Sequence, residues 1–453
     1  MKPKKAYLEG IDKRYIWHPF TQMKEWIEED IIIITHGKGN YIFDIEGKKY
    51  LDGVSSMWCN LHGHTNRVIN NALKEQIDKI SHSTLLGLSN IPSILLAEKI
   101  VKILPQGLTK IFYSDNGSTS VEVALKMVFN YWQLKGQPQR KKFISLKNAY
   151  HGDTIGAVSV GGISIFHEVF KPLLFPTIKA PSPYCYRCEL NLKYPSCNLS
   201  CAENLNLIVK ENRDNIAALI LEPMVQAAGG IIVSPPGYLK RIKEICVENK
   251  ILLIADEVAT GFMRTGKMFA VNHEDVLPDI MCLSKGLTNG YLPLALTATT
   301  EEIFSAFLGK YEEFKTFFHG HTYTGNQLGC VAALESLNLL LRRGFIENIK
   351  KKVALIGDYL SMLNELNHVG EIRQKGLMIG IELVKDKNTK QKYEPSERIG
   401  YRVCKEIRKY GVFLRPLGDI IVLIPPLSIT NSQIKYLVTS LFKAIKSITE
   451  KNG

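Results

Sequence analysis

Two ionisable side chains follow apolar segments at a spacing that suits a shared site. Asp256 closes an apolar run at residues 251–255, and Lys285 comes shortly after a second run at residues 280–283. A carboxylate at the carboxyl end of a buried parallel strand lies where open α/β sheets bind ligands, although aspartate also caps helices. The separation, 285 − 256 = 29 residues, is about one strand–helix–strand crossover. The two side chains can therefore occupy neighbouring strand ends.

The chemistry open to this pair is that of a cofactor with a pyridine ring and an aldehyde. A lysine in a loop is either a solvated cation or, where its site lowers its pKa, a nucleophile. Pyridoxal phosphate (PLP) needs such a lysine, together with a carboxylate beside its ring nitrogen. Asn116-Gly117-Ser118 precedes a helix predicted to start near Thr119, and helix N-termini bind phosphate, although a Gly-Ser pair there is commonly only a cap. Tyr150 follows an apolar run and can stack on a ring.

The elements that must position these residues alternate between short apolar runs and amphipathic stretches from about residue 111 to 300. That alternation predicts an α/β fold with a mostly parallel sheet and right-handed crossovers. The last third reads as a smaller α+β domain. We therefore expect an N-terminal segment, residues 1–75, that joins the small domain, a large domain over residues 76–325 with a cysteine-rich insertion at 181–204, and a C-terminal small domain over 326–453.

Composition excludes several classes of protein. The chain has 453 residues, of which 45% are hydrophobic and 22% charged, as in globular proteins. No apolar run approaches the roughly 18 residues of a membrane span, and no signal peptide is evident, so we expect a cytoplasmic protein without membrane partners. The net charge of +13 is spread along the chain without interleaved aromatic residues. We interpret it as a solvated basic surface and expect no nucleic-acid partner.

A cysteine cluster stands apart from the candidate catalytic residues. It contains four of the nine cysteines, which are Cys185, Cys188, Cys197 and Cys201. Their spacing, C-x₂-C-x₈-C-x₃-C, is compatible with a structural metal, but also with free thiols or a local disulfide. We expect no metal at the active site in any of these cases.

Several longer motifs resemble the class III PLP-dependent aminotransferases, which have fold type I. They occur in the family's order between about residues 15 and 426. The motifs are Tyr150-His-Gly-Asp-Thr, Leu221-Glu222-Pro, Asp256-Glu-Val-Ala-Thr-Gly-Phe-Met-Arg264-Thr-Gly, Leu283-Ser-Lys285-Gly and His319-Gly-His-Thr322-Tyr-Thr-Gly-Asn326. The resemblance implies a PLP cofactor on a large domain with a seven-stranded type of sheet. It also implies a homodimer whose active sites are shared across the interface.

The resemblance also assigns roles to residues that bind the cofactor. Lys285 matches the lysine that bonds to PLP and then moves a proton, and Asp256 matches the partner of the pyridinium nitrogen. Gly117 and Ser118 match the phosphate cradle. Tyr150 matches the aromatic residue stacked near the ring, and Val258 matches the apolar residue behind it. Thr322, with His321 beside it, matches the phosphate ligand that the partner subunit donates.

The substrate pocket is implied in the same way. Arg415 matches the arginine that holds a substrate carboxylate, where a guanidinium fork suits a bidentate contact. Glu222 stands where some members keep a glutamate that shields this arginine. The implied catalytic residues are Lys285, Asp256 and Tyr150, and the implied substrate contacts are Trp58, Tyr150, Lys285, Gly320 and Arg415.

The N-terminal Trp17-His-Pro-Phe20 and the segment Ser55-Ser-Met-Trp58 resemble one branch of the family. That branch converts 8-amino-7-oxononanoate to 7,8-diaminononanoate in biotin synthesis, and the resemblance implies L-lysine or S-adenosylmethionine as amino donor. The alternative is another ω-aminotransferase, acting on ornithine, lysine or 4-aminobutyrate. Three residues depart from the family pattern near the pocket: Phe20 where some relatives have tyrosine, and Met263 and Asn289 where glycine is usual.

Overall fold

The computed structural model describes residues 4–450. None of the helices in this range combines the length and the hydrophobicity that crossing a lipid bilayer requires. The strands are β1 (Ile34–Lys38), β2 (Tyr41–Asp44), β3 (Lys49–Asp52), β4 (Leu108–Ser114), β5 (Lys142–Leu146), β6 (Ile178–Ala180), β7 (Ile216–Leu221), β8 (Val225–Gln226), β9 (Ile232–Val233), β10 (Leu252–Asp256), β11 (Ile280–Leu283), β12 (Ala295–Thr300), β13 (Val369–Lys375), β14 (Met378–Leu383), β15 (Val412–Phe413), β16 (Arg415–Leu417) and β17 (Ile420–Leu423).

The α-helices occupy much of the chain between these strands. They are α1 (Lys5–Tyr15), α2 (Met23–Glu28), α3 (Ser55–Trp58), α4 (Arg67–Ile77), α5 (Ile91–Val101), α6 (Gly117–Leu134), α7 (Ile155–Val160), α8 (Ser164–His167), α9 (Ser200–Asn212), α10 (Tyr238–Glu248), α11 (Glu301–Ser305), α12 (Gln327–Leu340), α13 (Phe345–Leu360), α14 (Ile399–Glu406) and α15 (Asn431–Thr449).

A seven-stranded sheet forms the centre of the fold, in the order β4-β12-β11-β10-β7-β5-β6. Strands β6, β5, β7, β10 and β11 run parallel, and β12 is antiparallel to both of its neighbours. Strand β7 is buried along its whole length, because helices cover both faces of the sheet. The predicted α/β fold with a mostly parallel sheet is confirmed.

Helix α6 places its N-terminus at the carboxyl edge of this sheet. It begins at Gly117, two residues earlier than the predicted start near Thr119. The reason is that the Asn116 side chain accepts from the Thr119 backbone N–H at 3.1 Å and acts as the N-cap. Ser120, Val121, Ala124 and Val128 point into the core, as expected for an amphipathic helix lying on a sheet.

Two four-stranded sheets and the two-stranded sheet β8-β9 complete the fold. One has the order β13-β14-β17-β16, and the other, β1-β2-β3-β15, joins the N-terminal strands to the C-terminal third through the parallel pair β3 and β15. This pairing is the contact that the predicted N-terminal segment requires. The boundaries at residues 75/76 and 325/326 stay a prediction.

A buried ion network links the cysteine-rich insertion to the C-terminal sheet. The Arg373 guanidinium in β13 contacts the carboxylates of Glu371 and Glu382, both in the same sheet. It also donates to the Tyr184 hydroxyl at 2.8 Å and to the Gly230 carbonyl at 2.7 Å. Arg373 and Glu382 are both buried. The insertion and the loop at residue 230 therefore supply hydrogen-bond partners to a charge pair that water does not reach.

Candidate active site

The structure brings Asp256 and Lys285 to one cavity at the carboxyl edge of the central sheet. Asp256 ends β10 opposite Cys282 of the parallel strand β11, and Lys285 follows that strand. Both side chains line a cavity of about 520 Å³. Of the residues expected at the site, those that line it are Trp58, Gly117, Ser118, Tyr150, Asp256, Val258 and Lys285.

The surroundings of the Lys285 amine suit a nucleophile better than a solvated cation. Its Nζ atom lies 5.0 Å from the centroid of the Trp58 ring. Burial lowers the pKa of the Lys285 amine, against the opposing influence of the Asp256 and Glu222 carboxylates. A larger neutral fraction is what attack on an aldehyde or removal of a proton from carbon requires. Lys285 also has a φ of 46°, an uncommon backbone conformation for a side-chain-bearing residue.

The Asp256 carboxylate is fixed by two donors beneath the cavity. The Val258 backbone N–H donates to Oδ1 at 3.1 Å, and His151 Nδ1 lies 2.7 Å from Oδ2. The motif that begins at Tyr150 includes His151 but indicates no role for it. Its position directly after Tyr150 was the only signal, because its partner is 105 residues away in the chain.

The start of helix α6 forms a close-packed cradle. A Cβ atom at Gly117 would come within 2.6 Å of the Val258 side chain, and one at Gly152 would come within 2.1 Å of Ser118 Oγ. Gly152 also has a φ of 123°, which favours glycine. The first N–H groups of a helix have no partner within the helix, so Gly117 and Ser118 present amides suited to a phosphate. The carboxylate, the lysine and this cradle together fit PLP.

Tyr150 forms one wall of the cavity and connects it to the N-terminal segment. Its hydroxyl donates to Asp153 Oδ2 at 2.6 Å. Burial, with this hydrogen bond, raises the pKa of the Tyr150 hydroxyl, so the residue is a neutral phenol at physiological pH. The Tyr150 ring meets the edge of Phe166 at 6.4 Å between centroids, and Phe166 in turn meets Phe20 at 5.4 Å. The Phe20 position thus extends the aromatic wall without a hydroxyl.

The Glu222 carboxylate binds backbone N–H groups beside Tyr150 and does not contact Arg415, its expected partner. Its two carboxylate oxygens accept from the N–H groups of Tyr150, at 3.0 Å, and Ala227, at 2.8 Å. Arg415 is exposed in β16, and no ion pair joins it to Glu222 among residues 4–450. The shielding contact implied by the resemblance is not formed in this conformation, and it stays a prediction. Burial raises the pKa of the Glu222 carboxyl to about 7.

Four predicted site residues lie outside the cavity of the single chain. Gly320, Thr322 and Arg415 are exposed and His321 is partly so. The Thr322 carbonyl accepts from His82 Nε2 at 2.7 Å, and that contact fixes the loop to its own chain. The single chain therefore brings the other seven expected site residues to one cavity and places these four outside it.

The insertion cysteines are free thiols. Over residues 4–450, no three His, Cys, Asp or Glu side chains are arranged so that they could hold a metal ion. Burial raises the pKa of the Cys201 thiol to about 11.

Asn289 has a structural reason for replacing a glycine. It has a φ of 57°, which suits glycine, but its buried amide carbonyl accepts from the backbone N–H groups of Leu61 and His62. Its Nδ2 atom donates to the Gly63 carbonyl at 3.3 Å. The side chain therefore joins the N-terminal segment beside Trp58 to the loop that carries Lys285.

We expect Asn289→Gly to destabilise the protein although the backbone favours glycine. The change leaves the buried N–H of Leu61 and the half-buried N–H of His62 without an acceptor, and an unpaired buried group costs about 1–3 kcal/mol. The measurement is the urea midpoint of unfolding. Lys250→Gly is the matched control, because Lys250 is exposed at a φ of 55° and its replacement removes no buried contact. Equal effects of the two substitutions would contradict the role given to the Asn289 amide.

The buried carboxyl of Glu257, beside Asp256, makes the free energy of unfolding depend on pH. Its carboxylate accepts from the Val271 N–H at 2.8 Å and from the Thr260 hydroxyl at 2.6 Å, yet burial raises its pKa to about 7. Because the folded protein binds this proton more tightly than the unfolded chain, the contribution is full below about pH 4.5 and is lost as the pH rises through about 7.

We therefore expect Glu257→Gln to gain stability relative to the wild type as the pH rises from 5 to 8.5. The expected gain has an upper limit of about 3 kcal/mol. Urea unfolding at both pH values measures it. Glu211→Gln, at an exposed position, should show no such change. A Glu257→Gln difference that is independent of pH would mean that Glu257 is already ionised at pH 5.

Comparison with known proteins defines the class. The family described as Aminotransferase class-III matches residues 23–445. A thermostable (S)-enantioselective omega-transaminase from Thermomicrobium roseum has a similar structure, with a TM-score of 0.94 at 35% identity over 99% of both chains. The chain belongs to the class III aminotransferase family and is an aminotransferase.

Relatives of higher identity share one name, adenosylmethionine-8-amino-7-oxononanoate aminotransferase. The relative from Geobacter sulfurreducens is 54% identical over 98% of both chains. The relative from Methanocaldococcus jannaschii is 51% identical, again over 98% of both. A crystal structure of the enzyme from M. jannaschii has a TM-score of 0.94, and it covers 98% of this chain and 100% of its own.

Proposed function

We propose that this chain transfers an amino group to 8-amino-7-oxononanoate and forms 7,8-diaminononanoate in biotin synthesis, with PLP as cofactor. The single observation that carries the chemistry is the convergence of Asp256, Lys285 and the start of helix α6 on one cavity. The acceptor is supported by the name that the relatives share. That name contains adenosylmethionine, and L-lysine remains the second candidate donor.

The residues present divide the work of amino transfer. PLP, when bound, carries the amino group between donor and acceptor and withdraws electrons from the carbon that loses a proton. Asp256 would hold the pyridine nitrogen of the cofactor by offering it a buried negative charge. The Lys285 amine would bond to the cofactor and, once free, take up and release the proton that the substrate carbon loses. The amides of Gly117 and Ser118 would hold the phosphate.

The walls orient the reactants. Tyr150 and Val258 flank the ring, and Trp58 and Tyr150 exclude water from the reacting carbon. Arg415 binds the acceptor carboxylate, because a fixed guanidinium fork matches its two oxygens. Since Arg415 is exposed in the single chain, this role requires the C-terminal sheet or bound substrate to bring it to the cavity.

A homodimer completes the site in this proposal. Thr322 and His321 bind the phosphate in the partner's cavity, and Gly320 contacts substrate there. The observation in favour is that Thr322 lies outside its own cavity beside exposed Phe318 and Tyr323. Light scattering of the purified protein should give twice the mass of the chain, and a monomer that is fully active would exclude the shared site. A cytoplasmic location remains a prediction from the sequence.

The proposed reaction is tested by adding single donors to the PLP-loaded protein. S-adenosylmethionine goes to one sample and L-lysine to another, and the absorbance of the bound cofactor reports transfer of the amino group. Adding 8-amino-7-oxononanoate should then restore the starting spectrum and yield 7,8-diaminononanoate, detected by mass spectrometry. Conversion by one donor alone identifies it.

A general ω-aminotransferase is the second candidate, favoured by the 0.94 TM-score to the Thermomicrobium roseum omega-transaminase. It predicts conversion by ornithine or 4-aminobutyrate and no restoration by 8-amino-7-oxononanoate. That result would overturn the proposed acceptor while leaving the aminotransferase class unchanged.

A further inference from the structure

The segment that carries Trp58 has a backbone conformation that side-chain-bearing residues rarely adopt. Ser55, Ser56 and Trp58 have φ values of 51°, 60° and 66°, in the left-handed region that favours glycine. Such conformations persist only where the surrounding structure holds them, and they are common at binding sites. Trp58 lies at such a site, because it lines the cavity and its ring centroid is 5.0 Å from Lys285 Nζ. The contacts that hold this backbone therefore decide where one wall of the cavity stands.

The Asp52 carboxylate binds two backbone N–H groups of this segment. Asp52 is buried at the end of β3, directly before the segment begins. The Val54 N–H donates to Asp52 Oδ1 at 3.2 Å, and the Ser56 N–H donates to Oδ2 at 2.8 Å. The orientation of this carboxylate thus sets the path of the chain that leads to Trp58.

His64 supplies the third donor to the same carboxylate. Its Nε2 atom lies 2.9 Å from Asp52 Oδ2, and because a carboxylate oxygen accepts, Nε2 carries the hydrogen and donates it. The His64 backbone is itself fixed, since its N–H and carbonyl pair with those of Gly39 at 2.6 and 3.2 Å. Gly37 leaves room for the imidazole, because a Cβ atom there would come within 2.7 Å of the His64 side chain.

These contacts connect the N-terminal hairpin to the substrate wall. They run from the turn between β1 and β2 through His64 and Asp52 to the backbone that carries Trp58. Neither His64 nor Asp52 is among the residues that line the cavity, so both act from behind the wall. On its other side, the segment is tied to the chain after β17, where the Ser55 hydroxyl donates to the Ile424 carbonyl at 2.6 Å.

We propose that His64 is a positioning residue for the substrate wall, which orients the Asp52 carboxylate and thereby the backbone that presents the Trp58 ring to the acceptor. The inference rests on the proposed function and deepens it, because it names a residue outside the cavity that sets acceptor affinity. An indole ring packs well against the methylene chain of 8-amino-7-oxononanoate, and a displaced ring loses that contact. Loss of the His64 donor should therefore weaken acceptor binding more than it slows the chemical step.

The test compares His64→Met with His64→Gln in the full-length protein. The two new side chains have similar length and volume, and the glutamine amide nitrogen lies as many bonds from Cβ as the imidazole Nε2. Glutamine therefore restores a donor to Asp52, whereas methionine removes it. His36→Met is the matched control, because His36 is exposed in β1 and its ring forms a hydrogen bond with Thr35 rather than with Asp52.

Three quantities are measured for each variant. They are hydrogen exchange of the amides at residues 53–60 in the apoprotein, the KM and kcat for 8-amino-7-oxononanoate with PLP-loaded protein, and the urea midpoint of the apoprotein. We expect His64→Met to speed exchange in residues 53–60 and to raise KM by about 10-fold, the effect of one hydrogen bond to a charged group, with kcat reduced by less than about 3-fold. His64→Gln should recover most of both changes, and His36→Met should show neither.

A double-variant cycle shows whether His64 acts through Trp58. In a Trp58→Ala background, His64→Met should change kcat/KM for the acceptor by less than about 3-fold, because the ring that it positions has been removed. A purely structural role would lower the urea midpoint and speed exchange throughout the fold. It would also give equal effects on kcat/KM in both backgrounds, and that result would overturn the inference.

The outcomes separate this inference from the function on which it rests. A wild-type protein that does not convert 8-amino-7-oxononanoate overturns the proposed function. A wild type that converts it, together with a His64→Met variant of equal KM and equal exchange in residues 53–60, overturns the inference alone. Should His64→Met not fold, His64→Gln and His64→Asn replace the comparison, because the asparagine amide is one bond closer to Cβ and should recover less. Equal behaviour of those two variants also overturns the inference.

Discussion

Lys285→Ala is expected to lower the rate of amino transfer by at least about 10⁴-fold, because it removes both the nucleophile and the base that moves the proton. The Lys285 amine lines the cavity, its pKa is lowered by burial, and its Nζ atom lies over the Trp58 ring. The measurement is the single-turnover rate of donor conversion with the PLP-loaded variant, monitored by the absorbance of the cofactor.

Two further variants control for the loss of positive charge and for the loss of any lysine side chain. Lys285→Arg keeps the positive charge but offers no neutral amine near pH 7, so we expect it to be as inactive as the alanine variant. Lys240→Ala should keep full activity, because this exposed side chain makes no hydrogen bond or ion pair within residues 4–450. A Lys285→Ala protein that retains more than about a tenth of the wild-type rate would show that another group performs the proton transfer.

The second large effect concerns stability. We expect Arg373→Ala to lower the free energy of unfolding by up to about 3–5 kcal/mol, because it leaves the buried Glu382 carboxylate with Arg187 as its one remaining cationic partner among the described residues. Arg373 also supplies donors to the Tyr184 hydroxyl and the Gly230 carbonyl, so the loss extends to the insertion and to the loop at residue 230. The measurement is the urea midpoint at fixed protein concentration.

A double variant separates the charge from the packing. Arg373→Met with Glu382→Leu removes both charges and keeps apolar volume, so it should recover part of the loss. The exposed pair Lys102 and Glu98 provides the surface control, and Lys102→Ala should leave the urea midpoint nearly unchanged. If Arg373→Ala costs no more than Lys102→Ala, the network does not hold the insertion in place.

The sequence by itself determined the core of the site, because strand ends and helix starts depend on residues that are neighbours in the chain. Apolar runs that end in Asp256 and precede Lys285 predict strand ends, and the parallel topology then brings those ends together. Asn116, Gly117 and Ser118 predict a helix start for the same reason, since capping involves neighbours in the chain. The family motifs added the roles of residues that these rules alone leave open.

Tertiary structure alone decided the contacts that support these residues. His151 meets Asp256 across 105 positions, and Arg373 meets Gly230 across 143, distances over which no sequence period operates. The Glu222 carboxylate faces two backbone amides, which no side-chain motif reveals. The chain's sequence thus determined which groups perform the chemistry. Only folding decided how each is held and charged, because burial and hydrogen-bond partners arise when distant segments exclude water together.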